Sequence, residues 1–127
     1  MILVDTSIWI DHLRSGDAQL VALLEDGNVL GHPWVTGELA LGNLSHSGRN
    51  EVVRLLNNLP QATVATDVEV LTLIDHERLF GRGVGYVDAH LLASTRLSND
   101  ARLWTRDKRL HATAVQLELD YHNAPGR

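Results

Sequence analysis

Four acidic residues in this chain stand where surface charge alone does not explain them: Asp5, Glu38, Asp88 and Asp107. Asp5 directly follows the apolar run Ile2-Leu3-Val4, and Asp107 comes three residues after Trp104. Both therefore fall at the carboxyl ends of strand candidates, the edge where open α/β sheets bind ligands. Glu38 has Trp34, Val35, Leu41 and Gly42 as helical neighbours, and Asp88 shares a helix face with Leu91, Leu92 and Thr95. Each reads as projecting from a face that ought to be apolar. An isolated buried carboxylate is costly unless it is protonated, paired or bound to a cation. No basic residue lies at helical spacing from Glu38 or Asp88. Four acids on four separate elements is the arrangement a hard divalent cation such as Mg²⁺ or Mn²⁺ requires, since such ions take oxygen ligands. Singly, each acid has an ordinary explanation. Asp5, Asp88 and Asp107 all stand near possible helix starts, where Asp caps the helix for about 1 kcal/mol, and Glu38 could snorkel to solvent.

The elements that would position these acids alternate short apolar runs with amphipathic ones. Ile2-Leu3-Val4, Val29-Leu30, Thr63-Val64-Ala65 and Leu103-Trp104 read as buried strands, with a further strand between Val115 and Leu119. Asp17 can cap the helix AQLVALLED, and Pro33 occupies the first turn of WVTGELALGNL. A helix is expected from about Arg49 to Leu59, and Thr66 with Glu69 forms a capping box for VEVLTLIDHERL. After Gly81, Gly83 and Gly85, another helix begins at Tyr86, and Asp107 can start the last. Strands alternating with helices predict an α/β fold with helices on both faces of a mostly parallel sheet. With 127 residues, 44% of them hydrophobic, the chain is expected to form one domain over residues 1–127.

The stretches ILVDTSIWIDHLR, HPWVTGELALG, GYVDAHLLAS and LWTRDKRL resemble, in order and spacing, the PIN-domain ribonucleases, and most closely the VapC-type toxins of bacterial toxin-antitoxin pairs. The resemblance covers nearly the whole chain, although residues 49–77 match by helical pattern alone. It implies a three-layer α/β/α domain with a sheet of some four to five short strands. It also implies Asp5, Glu38, Asp88 and Asp107 as the acidic quartet around Mg²⁺ or Mn²⁺, with Thr6 and Thr105 as supporting hydroxyls. The implied activity is endonucleolytic cleavage of RNA, leaving a 5′-phosphate and a 3′-hydroxyl. The implied partner is a cognate antitoxin whose basic tail blocks the carboxylates, with Ile8, Trp9 and Leu13 lining a groove for its helix. DNA would be reached only through that antitoxin, and homodimerisation through the remaining apolar helix faces is expected.

Charge and composition bound these expectations. A formal charge of -5 excludes a general polyanion binder, so any RNA contact must be local. Arg78, Arg82, Arg106, Lys108 and Arg109 could rim the site and touch phosphates, or could be ordinary solvated charges. Trp9 and Trp34 could stack bases, but their spacing among Ile, Leu and Val equally suits core or partner-facing positions. The seven histidines are scattered, and none is assigned a role. There is no cysteine, no signal-peptide pattern and no membrane-length apolar run, which predicts a cytoplasmic protein. Two other readings share the acidic residues: a receiver-type phosphoacceptor domain and a non-catalytic module that docks a basic peptide. The receiver reading fits poorly, because Asp5 has no adjacent acid. The tail DYHNAPGR reads as frayed or partner-bound.

Overall fold

The computed structural model describes residues 1–122, with the backbone alone at residues 46 and 47; most of the tail expectation lies outside them. The sheet has three parallel strands in the order β2-β1-β3: β1 (Ile2–Val4), β2 (Val29–Leu30) and β3 (Arg102–Trp104). Leu3 is in register with Leu30 on one side and Leu103 on the other. All three residues of β1 are buried, as a central strand covered on both faces must be.

Seven helices flank it among the described residues: α1 (Thr6–Ser15), α2 (Ala18–Glu25), α3 (Pro33–Ala40), α4 (His46–Asn58), α5 (Asp67–His76), α6 (Tyr86–Leu97) and α7 (Lys108–Gln116). Local chemistry sets their starts. The Asp17 side chain accepts from the Leu20 N–H at 2.9 Å, and Pro33 opens α3. The capping box at α5 is complete, with Thr66 Oγ1 accepting from the Glu69 N–H and Glu69 Oε1 accepting from the Thr66 N–H.

The expected fourth and fifth strands shrink to single bridges, Gly31 to Gln61 and Leu103 to Asp120. Thr63–Ala65 is not a strand because its amides are taken by α6. The Thr63 N–H donates to Ser98 Oγ at 2.9 Å, and the Ala65 N–H donates to Ser94 Oγ at 3.2 Å. Val115–Leu119 is not a strand either: α7 runs on to Gln116, and the chain turns at Glu118 (φ 60°) before meeting β3. There the Leu103 N–H donates to Leu119 O and the Tyr121 N–H to Leu103 O. A Cβ on Gly31 would stand 2.6 Å from Gln61 Nε2 and 3.0 Å from Leu56 O, so a larger residue there would have to displace the Gln61 amide. Among the described residues no helix is long and apolar enough to cross a membrane.

Candidate active site

The strand order reverses at β1, so the crevice beyond the carboxyl ends of β1 and β3 is where a ligand site should form. The Asp5 N–H donates to Trp104 O at 2.9 Å, continuing the ladder one residue past β1 and fixing the Asp5 side chain at that crevice. Asp5 is buried and also caps α1. Its Oδ2 accepts from the Ser7 N–H (3.3 Å), Ser7 Oγ (2.7 Å) and Thr105 Oγ1 (2.8 Å). Thr105 Oγ1 in turn accepts from the Asp107 N–H at 3.0 Å, so one hydroxyl ties the two acids across the sheet edge.

Asp107 is exposed and caps α7, its Oδ1 accepting from the N–H groups of Arg109 and Leu110. Glu38 is exposed rather than buried on an apolar face, and its Oε1 accepts from Thr6 Oγ1 at 2.7 Å. Thr6 therefore supports Glu38, not Asp5. Asp88 is half-buried at the first turn of α6. Burial, then the carboxylates of Asp5 and Asp107 and more weakly Glu38, push Asp88 up to about 6, with the Gly85 backbone opposing. The other three predicted acids thus all act electrostatically on Asp88. Capping does not use up either carboxylate: Asp5 and Asp107 each spend one oxygen on a helix start, and the other takes no hydrogen bond among the described residues.

The basic residues behave differently. Arg106 already has acidic partners: its guanidinium lies 5.8 Å from the Trp104 ring centroid and pairs with Asp11 (2.9 Å) and Asp17. Burial works against the Asp17 carboxylate, but the Leu20 N–H and Arg106 outweigh it and hold its pKa below the usual carboxylate value. The Arg109 side chain packs over Gly83, where a Cβ would lie 2.9 Å from its Cδ; Gly83 also has φ +77°. Arg78, Arg82 and Lys108 are exposed, Lys108 beside a cavity of about 350 Å³ that Trp104, Thr105 and His111 also line. Of the residues expected to line a groove for a partner helix, Ile8 and Trp9 are buried in the core. Leu13 does line a cavity beside Glu38, together with Ile10, Leu39 and Leu44, because α1 turns the Ile8 and Trp9 face inward. Ser7 was missed as a supporting residue. Its place two residues after a strand-end Asp was the available signal.

A model of the PIN domain matches residues 2–116 of the chain. The chain belongs to the PIN-domain family. It is similar to Ribonuclease VapC32 of Mycobacterium tuberculosis, from strains CDC 1551 / Oshkosh and ATCC 25618 / H37Rv alike, at 55% identity over 116 residues. The match covers 91% of this chain and 92% of the relative. Membership of this family displaces the receiver-type reading.

A divalent cation fits the donors present. All four side chains offer hard carboxylate oxygens, and Asp88 carries the crowding of three like charges without a cation against it. Among the described residues no three His, Asp or Glu side chains form a ready-made metal cage.

The Thr105 hydroxyl is the test of the hydrogen-bond scaffold. Thr105→Val should lower metal-dependent activity about 10- to 100-fold, as loss of a group orienting a ligand does. It should also destabilise the fold by about 1–3 kcal/mol, since the Asp107 N–H loses its acceptor. Steady-state rates with a denaturant titration would check both, and wild-type rates would show that Asp5 needs no such support.

Proposed function

We propose that the chain is a metal-dependent endoribonuclease acting as the toxin of a toxin-antitoxin pair. The observation that carries this reading is the Asp88 carboxyl, whose proton affinity is raised by burial and then by three carboxylates from three other elements. Such a cluster is unfavourable by itself and becomes favourable around a cation. The similarity to Ribonuclease VapC32 supports RNA as the substrate and a cognate antitoxin as the partner. Asp5, Glu38, Asp88 and Asp107 would hold Mg²⁺ or Mn²⁺, directly or through water. The bound ion would supply charge neutralisation at the phosphate and activation of water for in-line attack.

The chain's own residues do the rest. Ser7 and Thr105 hold Asp5 Oδ2 so that its other oxygen faces the crevice. Thr6 holds Glu38 in the same way. Asp88, with a pKa near 6, can keep or release a proton near neutral pH when no cation is bound. Arg82, Arg106, Lys108 and Arg109 remain candidates for phosphate contact; Arg106 would exchange its partners Asp11 and Asp17 for the phosphate. Inhibition would come from a basic residue of the antitoxin tail set against the carboxylates, with its helix in the groove of Ile10 and Leu13. Arg suits this best, since its planar fork binds carboxylates bidentately. The chain would work in the cytoplasm as a single PIN domain, pair with a second copy, and reach DNA only through the antitoxin.

Purified, antitoxin-free protein should cleave single-stranded RNA in Mg²⁺ or Mn²⁺ and stop on chelation. The same ions should raise the melting temperature, by the equivalent of about 2.7 kcal/mol at a hundred times the dissociation constant. An unchanged midpoint at millimolar metal together with no cleavage would leave the docking-module reading in its place.

A further inference from the structure

Beside Glu38, on the side away from the Ile10–Leu13 groove, lies a recess of about 430 Å³ lined by Pro33, Trp34, Gly37, Glu38, Leu41 and Val87. It begins at the carboxylates, because Glu38 is one wall and Val87 is the chain neighbour of Asp88. Trp34, Gly37 and Glu38 lie on one face of α3, and Leu41, its C-cap, extends that face. Trp34 is 40% exposed and Leu41 90%, high values for such side chains. Behind the indole lies His90, with ring centroids 4.8 Å apart and planes inclined by 31°, and Tyr86 meets His90 edge-on at 4.8 Å. The Trp34 ring is therefore supported from behind while much of its surface remains open. The floor is open too, since a Cβ on Gly37 would meet nothing within 4 Å.

We infer that this recess receives a nucleobase of the RNA, stacked on Trp34 next to the phosphate that the carboxylates address. The inference rests on the nuclease reading and adds the contact that reading lacks. An RNA strand approaching four carboxylates in a chain of charge -5 gains little from phosphate attraction, and Arg106 is already paired. A neutral contact would add affinity that charge supplies only locally. Stacking on an aromatic face provides one and is tolerant of base identity. The recess suits a base and not a phosphate, because Glu38 is the one charged residue lining it.

Trp9 and Trp104 are 1% and 9% exposed, so quenching of tryptophan fluorescence on RNA binding would report chiefly on Trp34. The titration uses the Asp88→Asn variant in Mg²⁺ with a mixed-sequence eight-nucleotide RNA, and the matching abasic strand as control. RNA should quench and the abasic strand should not. Trp34→Phe in that background should lose the signal but keep affinity within about threefold by direct binding assay. Trp34→Ala, and Gly37→Leu, which fills the recess, should weaken binding about 10- to 100-fold. In the otherwise wild-type chain the same two changes should raise KM to a similar degree with kcat within a few-fold. Unchanged RNA affinity and KM in both variants would overturn the inference, as would normal RNA binding with lost inhibition by antitoxin, which would make the recess a protein dock. If the wild-type chain cleaves no RNA but the quenching remains, the nuclease reading falls and the base platform stands.

Discussion

Asp88→Asn should abolish RNA cleavage, by at least about a hundredfold, and at the same time make the metal-free protein more stable. The two effects have one cause. Asp88 has a folded pKa of about 6 against an ordinary 3.8, pushed up by burial and then by Asp5, Asp107 and Glu38. A raised acid contributes stability that is present below about pH 4 and lost as pH rises through about 6. At pH 7.5 the ionised group therefore works against the fold, by on the order of 1–2 kcal/mol once solvent screening of a half-buried group is allowed for. Asn keeps the shape and removes the charge, so the variant should melt about 3–8 °C higher in chelator. The advantage should vanish near pH 4, and millimolar Mg²⁺ should reverse it by stabilising only the wild type. Melting curves in the two buffers and a cleavage assay read both effects. Retained cleavage would take Asp88 out of the site, and a lower melting temperature at pH 7.5 would mean that the carboxylates do not crowd one another.

The second large effect lies under the site, at His32. This residue is fully buried and caps α3, with Nδ1 accepting from the Trp34 N–H at 3.1 Å and Nε2 2.9 Å from Ser94 Oγ. Since Nδ1 accepts, the neutral ring carries its proton on Nε2 and donates to Ser94. Burial, and then the nearby His90, lower its pKa from 6.5 to about 4. A lowered histidine contributes stability that is present above about pH 6.5 and lost as pH falls toward 4, in total on the order of 3 kcal/mol. Between pH 4 and 6 this slope opposes that of Asp88. The metal-free wild type should therefore lose only about 1–2 kcal/mol across that range. Asp88→Asn should unmask the histidine and lose about 2–3 kcal/mol between pH 6.5 and 4. Adding His32→Asn, which keeps a capping oxygen, should flatten the profile while costing about 1–3 kcal/mol through the lost Ser94 contact. Denaturant midpoints at several pH values would decide it. A flat profile in Asp88→Asn alone would assign the acid response elsewhere.

Much of this was legible along the chain because it depends on residues a few positions apart. Helix starts at Asp17, Pro33 and Thr66 with Glu69 are local hydrogen-bond chemistry, and short apolar runs such as Ile2–Val4 leave little choice but a buried strand. The four acids were conspicuous for the same reason: each breaks a local pattern or ends a strand. Tertiary structure decided which groups those patterns would meet. Thr63–Ala65 has strand composition, but its amides found Ser94 and Ser98, about thirty residues on, before any neighbouring strand. Arg106 lies next to Asp107 in sequence, yet Asp11 and Asp17 hold it because β3 runs alongside β1. Thr6 serves Glu38, and Ser7 with Thr105 serves Asp5, because helix α1 begins where two strands end. Helical periodicity placed Glu38 on an apolar face, whereas the packing of α3 left that stretch at the surface beside an open recess. Periodicity and capping are properties of a segment. The partner of a charge or hydroxyl is a property of the sheet register, which brings residues some hundred positions apart within hydrogen-bond reach.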